Sequence, residues 1–288
     1  MKRAFLFAAL FLLITEIVAV LISSHFLELG FAAFENPSSS NNVLILLIIF
    51  PLVLIIALLF LRRGRKKLLK GFFLVAISFT LYSTLVVICS MFLNEVFSAI
   101  IPLPATISIL YLLVKKKKWY IADLVGFILA CGITSMLGIS LIPILMAALL
   151  IALAVYDFVS VYITKHMVNM ADQVMDMSLP VLLIFPDEPR KFEGLSSKEK
   201  REEKSSVENE SKEKKAFFLG LGDIVIPSSY VVSLYTFLNA GVAAFAALGT
   251  MVGLIVLLII TAKTKANAGL PFINSFALIF SLIGYSFL

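Results

Sequence analysis

Two carboxylic acids lie inside apolar runs, where a charge is costly. Asp157 is in "LIALAVYDFVSVYIT" and Asp223 is in "FFLGLGDIVIPSS". A charged side chain at the centre of a membrane helix costs roughly 2.5–3.5 kcal/mol on insertion scales, so an acid kept there points to a use. Two carboxyls that face each other cannot both ionise cheaply. One holds a proton, the other acts as a base, and the pair titrates as a unit. That is the chemistry of an aspartic protease: the base takes a proton from an attacking water, and the acid protonates the developing oxygen and then the leaving amine. The neighbouring residues suit such a site. Gly220 and Gly222 carry no side chain, which lets another backbone approach and loosens the helix start, while Leu221 points away from the acid's near neighbours. Tyr156, next to Asp157, is placed to donate a hydrogen bond or to line the cavity. The same glycines also suit plain helix packing, and spacing alone leaves both readings open.

The acids need a scaffold, and composition says which kind. Of 288 residues, 61% are hydrophobic and 15% charged, against about half and a quarter in a soluble domain. The chain reads as an all-α membrane protein, a polytopic bundle of nine transmembrane helices. Candidate spans of about 20 apolar residues fall at 4–24, 43–61, 71–93, 95–114, 120–138, 141–164, 216–238, 240–262 and 269–288. The basic residues lie in alternate connections: Lys2 and Arg3, then Arg62 to Lys70, Lys115 to Lys118, the stretch from Lys165 to Lys215, and Lys263 with Lys265. By the positive-inside rule the amino end is cytoplasmic and the carboxyl end extracellular. The bases therefore set topology, and no nucleic-acid partner is expected. Cys89 and Cys131 lie within apolar runs and read as packing residues.

Read as helix, the seventh span starts near Ala216 and the sixth ends near Thr164, seven residues from Asp223 and Asp157 respectively. At 1.5 Å per residue both acids then lie about 10 Å below the cytoplasmic boundary, on consecutive antiparallel helices. The chain divides into a six-span part, 1–164, with the first acid; a cytoplasmic loop, 165–215; and a three-span part, 216–288, with the second. From 187 the loop holds nine acids and nine bases with almost no large apolar residue, a composition expected to stay disordered. Before it, "MVNMADQVMDMSLPVLLIF" reads as an interfacial helix end followed by a short buried or strand-like piece, or as an adaptable methionine surface for substrate.

At these residues the chain resembles the presenilin and signal peptide peptidase family of intramembrane aspartyl proteases. Tyr156-Asp157 and Gly220-Leu221-Gly222-Asp223 match its YD and GxGD motifs, and "LPVLLIFP" resembles the segment after its sixth span. The span count and loop position agree over the whole chain. The size and orientation resemble an archaeal- or bacterial-type presenilin homologue. The family's third motif, Pro-Ala-Leu, corresponds to Ala268-Gly269-Leu270 followed by Pro271, with two of its three residues changed. The resemblance implies Asp157 and Asp223 as the catalytic pair, the 268–271 corner as support, transmembrane proteins or peptides as substrates, and no cofactor or metal. It leaves the oligomeric state open.

Two other readings stand beside it. A prepilin- or preflagellin-type peptidase also uses GxGD with a second aspartate, on a span pattern that fits less well. A proton-coupled transporter would use both acids as a relay, but six spans and three do not form paired repeats. The absence of HExxH argues against a zinc protease, and the absence of a histidine within a span argues against a membrane serine protease. Glu95 and Asp123 read as interfacial, Glu16 as a packed or water-facing polar contact, and Gly249 with Gly253 as an internal packing motif.

Overall fold

The computed structural model describes residues 2–116, 118–163, 180, 182–186, 216–263 and 268–287. The loop from 187 to 215, the methionine-bearing stretch before Pro180, and His166 lie outside the described residues. Ten α-helices are described: α1 (Lys2–Glu28), α2 (Ser40–Arg62), α3 (Lys66–Ser90), α4 (Glu95–Ile100), α5 (Pro102–Lys116), α6 (Trp119–Ser140), α7 (Pro143–Phe158), α8 (Leu221–Phe237), α9 (Ala240–Lys263) and α10 (Leu270–Phe287). Eight membrane-length apolar stretches are found among them, with α4 and α5 together forming one and α8 the shorter ninth. The fourth span breaks where its prolines fall: α4 ends at Ile100, and Pro102 opens α5, the helix position at which a missing N–H does no harm.

The seventh span departs from the expected helix. Its first five residues form β2 (Ala216–Gly220), which pairs antiparallel with β1 (Leu182–Pro186), Ile184 opposite Phe218. The helix begins only at Leu221. The 10 Å depth from a helical rise therefore does not hold for Asp223, because an extended chain advances about 3.3 Å per residue. A run as short as "AFFLG" has no period long enough to separate strand from helix.

Helices α6 and α8 form the buried centre. Small residues let them approach closely. A Cβ at Gly138 would stand 2.6 Å from Val232 Cγ1 and 2.8 Å from the Ser229 carbonyl oxygen. Hydroxyls and amides cross the helix contacts. Ser135 Oγ donates to the Ala19 carbonyl at 2.9 Å, Ser233 Oγ to the Leu141 carbonyl at 2.6 Å, and Asn274 Nδ2 to the Leu150 carbonyl at 3.0 Å. Such bonds contribute about 0.6 kcal/mol each, so they set register more than they set stability. The expected packing motif in α9 is internal: Gly249 backs onto the Phe276 carbonyl, and a Cβ at Gly253 would meet Ile273 Cα at 2.7 Å. Cys131 is buried, Cys89 partly so, and neither is paired.

Candidate active site

Asp157 is the second-last residue of α7 and is only 4% exposed. After Phe158 the chain continues as a π-helical turn, Val159–Ile163. A widened turn of this kind re-aims the side chains around it and recurs at functional sites. Asp157 points inward, whereas Tyr156 on the next position is 41% exposed. Tyr156 therefore stands on the outer side of α7 and interacts with Ser160.

Asp223 approaches from the opposite kind of helix end. Gly220 is the N-cap of α8, with an extended backbone (φ −65°, ψ 138°), and Asp223 lies in the first turn, half-buried. Leu221 turns into the core, near Leu183 and Gly126 of α6. Gly222 is exposed, and a Cβ there would find only Ile226 Cδ1, at 4.0 Å. The Gly220 amide faces Asp223.

The third element joins the two acids. The segment 268–269 leads into α10, which begins at Leu270. The Leu270 N–H donates to Asp157 Oδ2 at 3.2 Å, and the Gly269 amide also faces Asp157. A Cβ at Gly269 would lie 2.9 Å from both Cγ and Oδ2 of Asp223. One dipeptide thus touches both carboxyls, which stand close enough to feel each other's charge. Ala268 and Leu270 are buried, and Pro271 is half-buried at the first turn of α10.

The structure brings together Asp157, Asp223, Gly220, Gly269 and Leu270. It leaves Tyr156 outside this cluster, and it turns Leu221 into the core and Gly222 into open space. It adds Asp123, which the sequence reading left at the interface. Asp123 Oδ1 accepts the Ile184 N–H at 3.0 Å, so it holds β1 along the edge that faces away from β2. Its signal was hidden because its partner lies 61 residues away, beyond the rest of α6 and all of α7. Among the described residues no group of three or more His, Cys, Asp or Glu stands together as a metal site would require.

The comparisons agree with this architecture. A family model described as "Signal-peptide peptidase, presenilin aspartyl protease" matches residues 8–288. A solved presenilin family intramembrane aspartate protease in space group C222 is 27% identical, with a TM-score of 0.72, covering 99% of each chain. The P2 crystal form of a presenilin family intramembrane aspartate protease is 28% identical, with a TM-score of 0.70, covering 97% of this chain and 96% of that one. No curated protein matches the chain. The match over nearly the whole length places the chain in the signal-peptide peptidase and presenilin family, as a multi-pass intramembrane aspartyl protease.

Proposed function

We propose that Asp157 and Asp223 are the catalytic pair of this protease, and that the Gly269–Leu270 corner holds them in register. The observation that carries this reading is the double contact: the Leu270 N–H reaches Asp157 at 3.2 Å, while the α-carbon side of Gly269 abuts the Asp223 carboxyl. One carboxylate takes a proton from the attacking water. The other donates to the carbonyl oxygen and then to the leaving nitrogen. The family acts on membrane proteins within the bilayer, and the finer reading is that transmembrane segments of such proteins are cut.

The parts of the chain take separate roles in this reading. The six-span part, 1–164, brings Asp157. The three-span part, 216–288, brings Asp223 and the corner. The loop 165–215 joins them on the cytoplasmic side. The amino end is cytoplasmic and the carboxyl end extracellular, as the alternation of basic connections supports. A helical substrate hides its carbonyls in hydrogen bonds and must unwind before it is cut. Unwinding in hydrocarbon leaves backbone groups unpaired at several kcal/mol each. Strand β2 offers a line of replacement partners. Because the Ile184 N–H points away from β2 to Asp123, its opposite residue Phe218 turns its own backbone groups away from β1. An unwound segment lying along that edge arrives beside Gly220, three residues before Asp223.

The test is cleavage of a reporter transmembrane peptide by purified protein in detergent. Asp157→Asn and Asp223→Asn each keep size and polarity but cannot exchange a proton. Each should lower the rate by about 10³-fold or more, with the protein still folded. Near wild-type cleavage by either variant would refute the pair.

A further inference from the structure

Another buried acid lies outside the pair. Glu16 sits midway along α1 and is 2% exposed. Its Oε1 lies 2.7 Å from Thr250 Oγ1 of α9, whose single proton is shared between this oxygen and the Ala247 carbonyl, also at 2.7 Å, and it accepts from Ser228 Oγ of α8 at 3.3 Å. Its Oε2 is buried and has no hydrogen-bond partner among the described residues. A single carboxyl oxygen therefore ties α1 to two other helices.

Where it ties them matters. Pro227 lies inside α8 and has no N–H. In the helical ladder that N–H would have gone to the carbonyl of residue 223, four positions back. The missing bond belongs to Asp223 itself, so the first turn of α8 is joined to the rest of the helix by fewer bonds than usual. Ser228 is the first residue beyond the break. The second arm runs through Thr250. Its neighbour Gly249 seats α9 on the Phe276 carbonyl of α10, and Gly253 seats it on Ile273. Helix α10 begins at Leu270, which donates to Asp157. The same Glu16 oxygen thus bears on the helix that carries Asp223 and on the helix pair that carries the corner.

We propose that Glu16 is a positioning residue for proteolysis: it fixes α8 just beyond its broken rung, and α9 beside it, so that Asp223 meets the Gly269–Leu270 corner in register. The inference rests on the reading of Asp157 and Asp223 as the catalytic pair, through which Glu16 acts. It makes no contact with substrate. Catalysis is sensitive to such support, since a 1 Å displacement of a reacting group costs about a hundredfold in rate.

The test uses the full chain in detergent with the reporter peptide, and measures kcat, KM and thermal midpoint together. Glu16→Leu should lower kcat about tenfold or more with KM within about twofold, whereas Glu16→Gln, which keeps an acceptor oxygen, should recover to within about threefold. Pro227→Ala restores the rung and should shrink the kcat loss from Glu16→Leu to about threefold, a coupling that a merely structural role would not produce. If Glu16→Leu does not fold, Ser228→Ala and Thr250→Val each remove one of the two contacts to Glu16 and should each lower kcat about threefold. The proposal is overturned if Glu16→Leu lowers the thermal midpoint while kcat per folded molecule stays unchanged. It is also overturned if Gln and Leu lose kcat equally, if Pro227→Ala leaves the loss untouched, or if neither single-bond variant moves kcat. Asp157→Asn and Asp223→Asn are run alongside. Cleavage by those variants would sink the catalytic pair itself, whereas two dead aspartate variants with a fully active Glu16→Leu would sink only the role of Glu16.

Discussion

The two aspartates have the same chemistry and opposite settings. Asp157 lies at the end of α7, is almost fully buried, and is held by hydrogen bonds from the backbone of the corner. Asp223 lies in the first turn of α8, is half-buried, and is hemmed in by glycines on two sides. One acid is fixed by what bonds to it. The other faces the Gly220 amide and is further confined by the little space left around it. Equivalent carboxyls would share one proton by mutual repulsion alone, with no reason for either to be always the acid. The asymmetry here supplies such a reason, and it can be probed one residue at a time.

The largest effect is expected on the Asp157 side. Leu270→Pro removes the N–H that reaches Asp157. Leu270 is the first residue of α10, a position where proline fits the backbone, so the change acts on the bond rather than on the helix. It should lower kcat about a hundredfold, a loss typical of deleting one preorganised donor. Leu270→Ala keeps the N–H and gives the side-chain control; equal losses in the two variants would show that packing and not the bond holds Asp157.

On the Asp223 side the effect should follow the available space. At Gly269 a Cβ would come within 2.9 Å of the carboxyl, closer than real contacts allow, so in Gly269→Ala the carboxyl must rotate away. A loss of about tenfold in kcat is expected, with little change in thermal midpoint, since displaced catalytic groups cost rate before stability. The family pattern places alanine at this position. Full activity of Gly269→Ala would therefore mean that the Asp223 carboxyl relocates without penalty and is not fixed by crowding.

Much of this site was legible in the sequence because an acid in an apolar run is costly and stands out against its neighbours. Asp157 and Asp223 stood out by residue type and spacing, the corner at 268–271 only by its resemblance to the family's third motif, and the nine apolar runs by composition. What stayed hidden was non-local or too short to show a period. The strand at Ala216–Gly220 is five apolar residues long and reads as the start of a helix. Asp123 reads as interfacial and Glu16 as a packed or water-facing contact because their partners are 61, 212 and 234 residues away. Tyr156 was drawn into the site by adjacency, yet neighbours on a helix point about 100° apart, and its side chain faces outward.

The two glycines of the Gly220-Leu221-Gly222-Asp223 motif sharpen the comparison furthest, because they differ in what they touch. A Cβ at Gly220 would lie 3.2 Å from Asp223 Oδ2, tight enough to press on the carboxyl. Gly220→Ala should therefore lower kcat about threefold, less than the change at Gly269, by the same displacement argument. At Gly222 the nearest protein atom to a Cβ is Ile226 Cδ1 at 4.0 Å, an ordinary contact. Alanine there also suits the first turn of a helix, where glycine costs up to about 1 kcal/mol relative to alanine. Gly222→Ala should hold or raise the thermal midpoint and leave the Asp223 carboxyl in place. The position is exposed beside the proposed docking line, so any lost activity must come from what the substrate needs. It should appear as a raised KM, or as a shift in the cleavage positions found by mass spectrometry of the products, with kcat close to wild type. A fall in thermal midpoint would show that Gly222 is packed in the protein after all, and a large fall in kcat at unchanged KM would show that it, too, shapes the setting of Asp223.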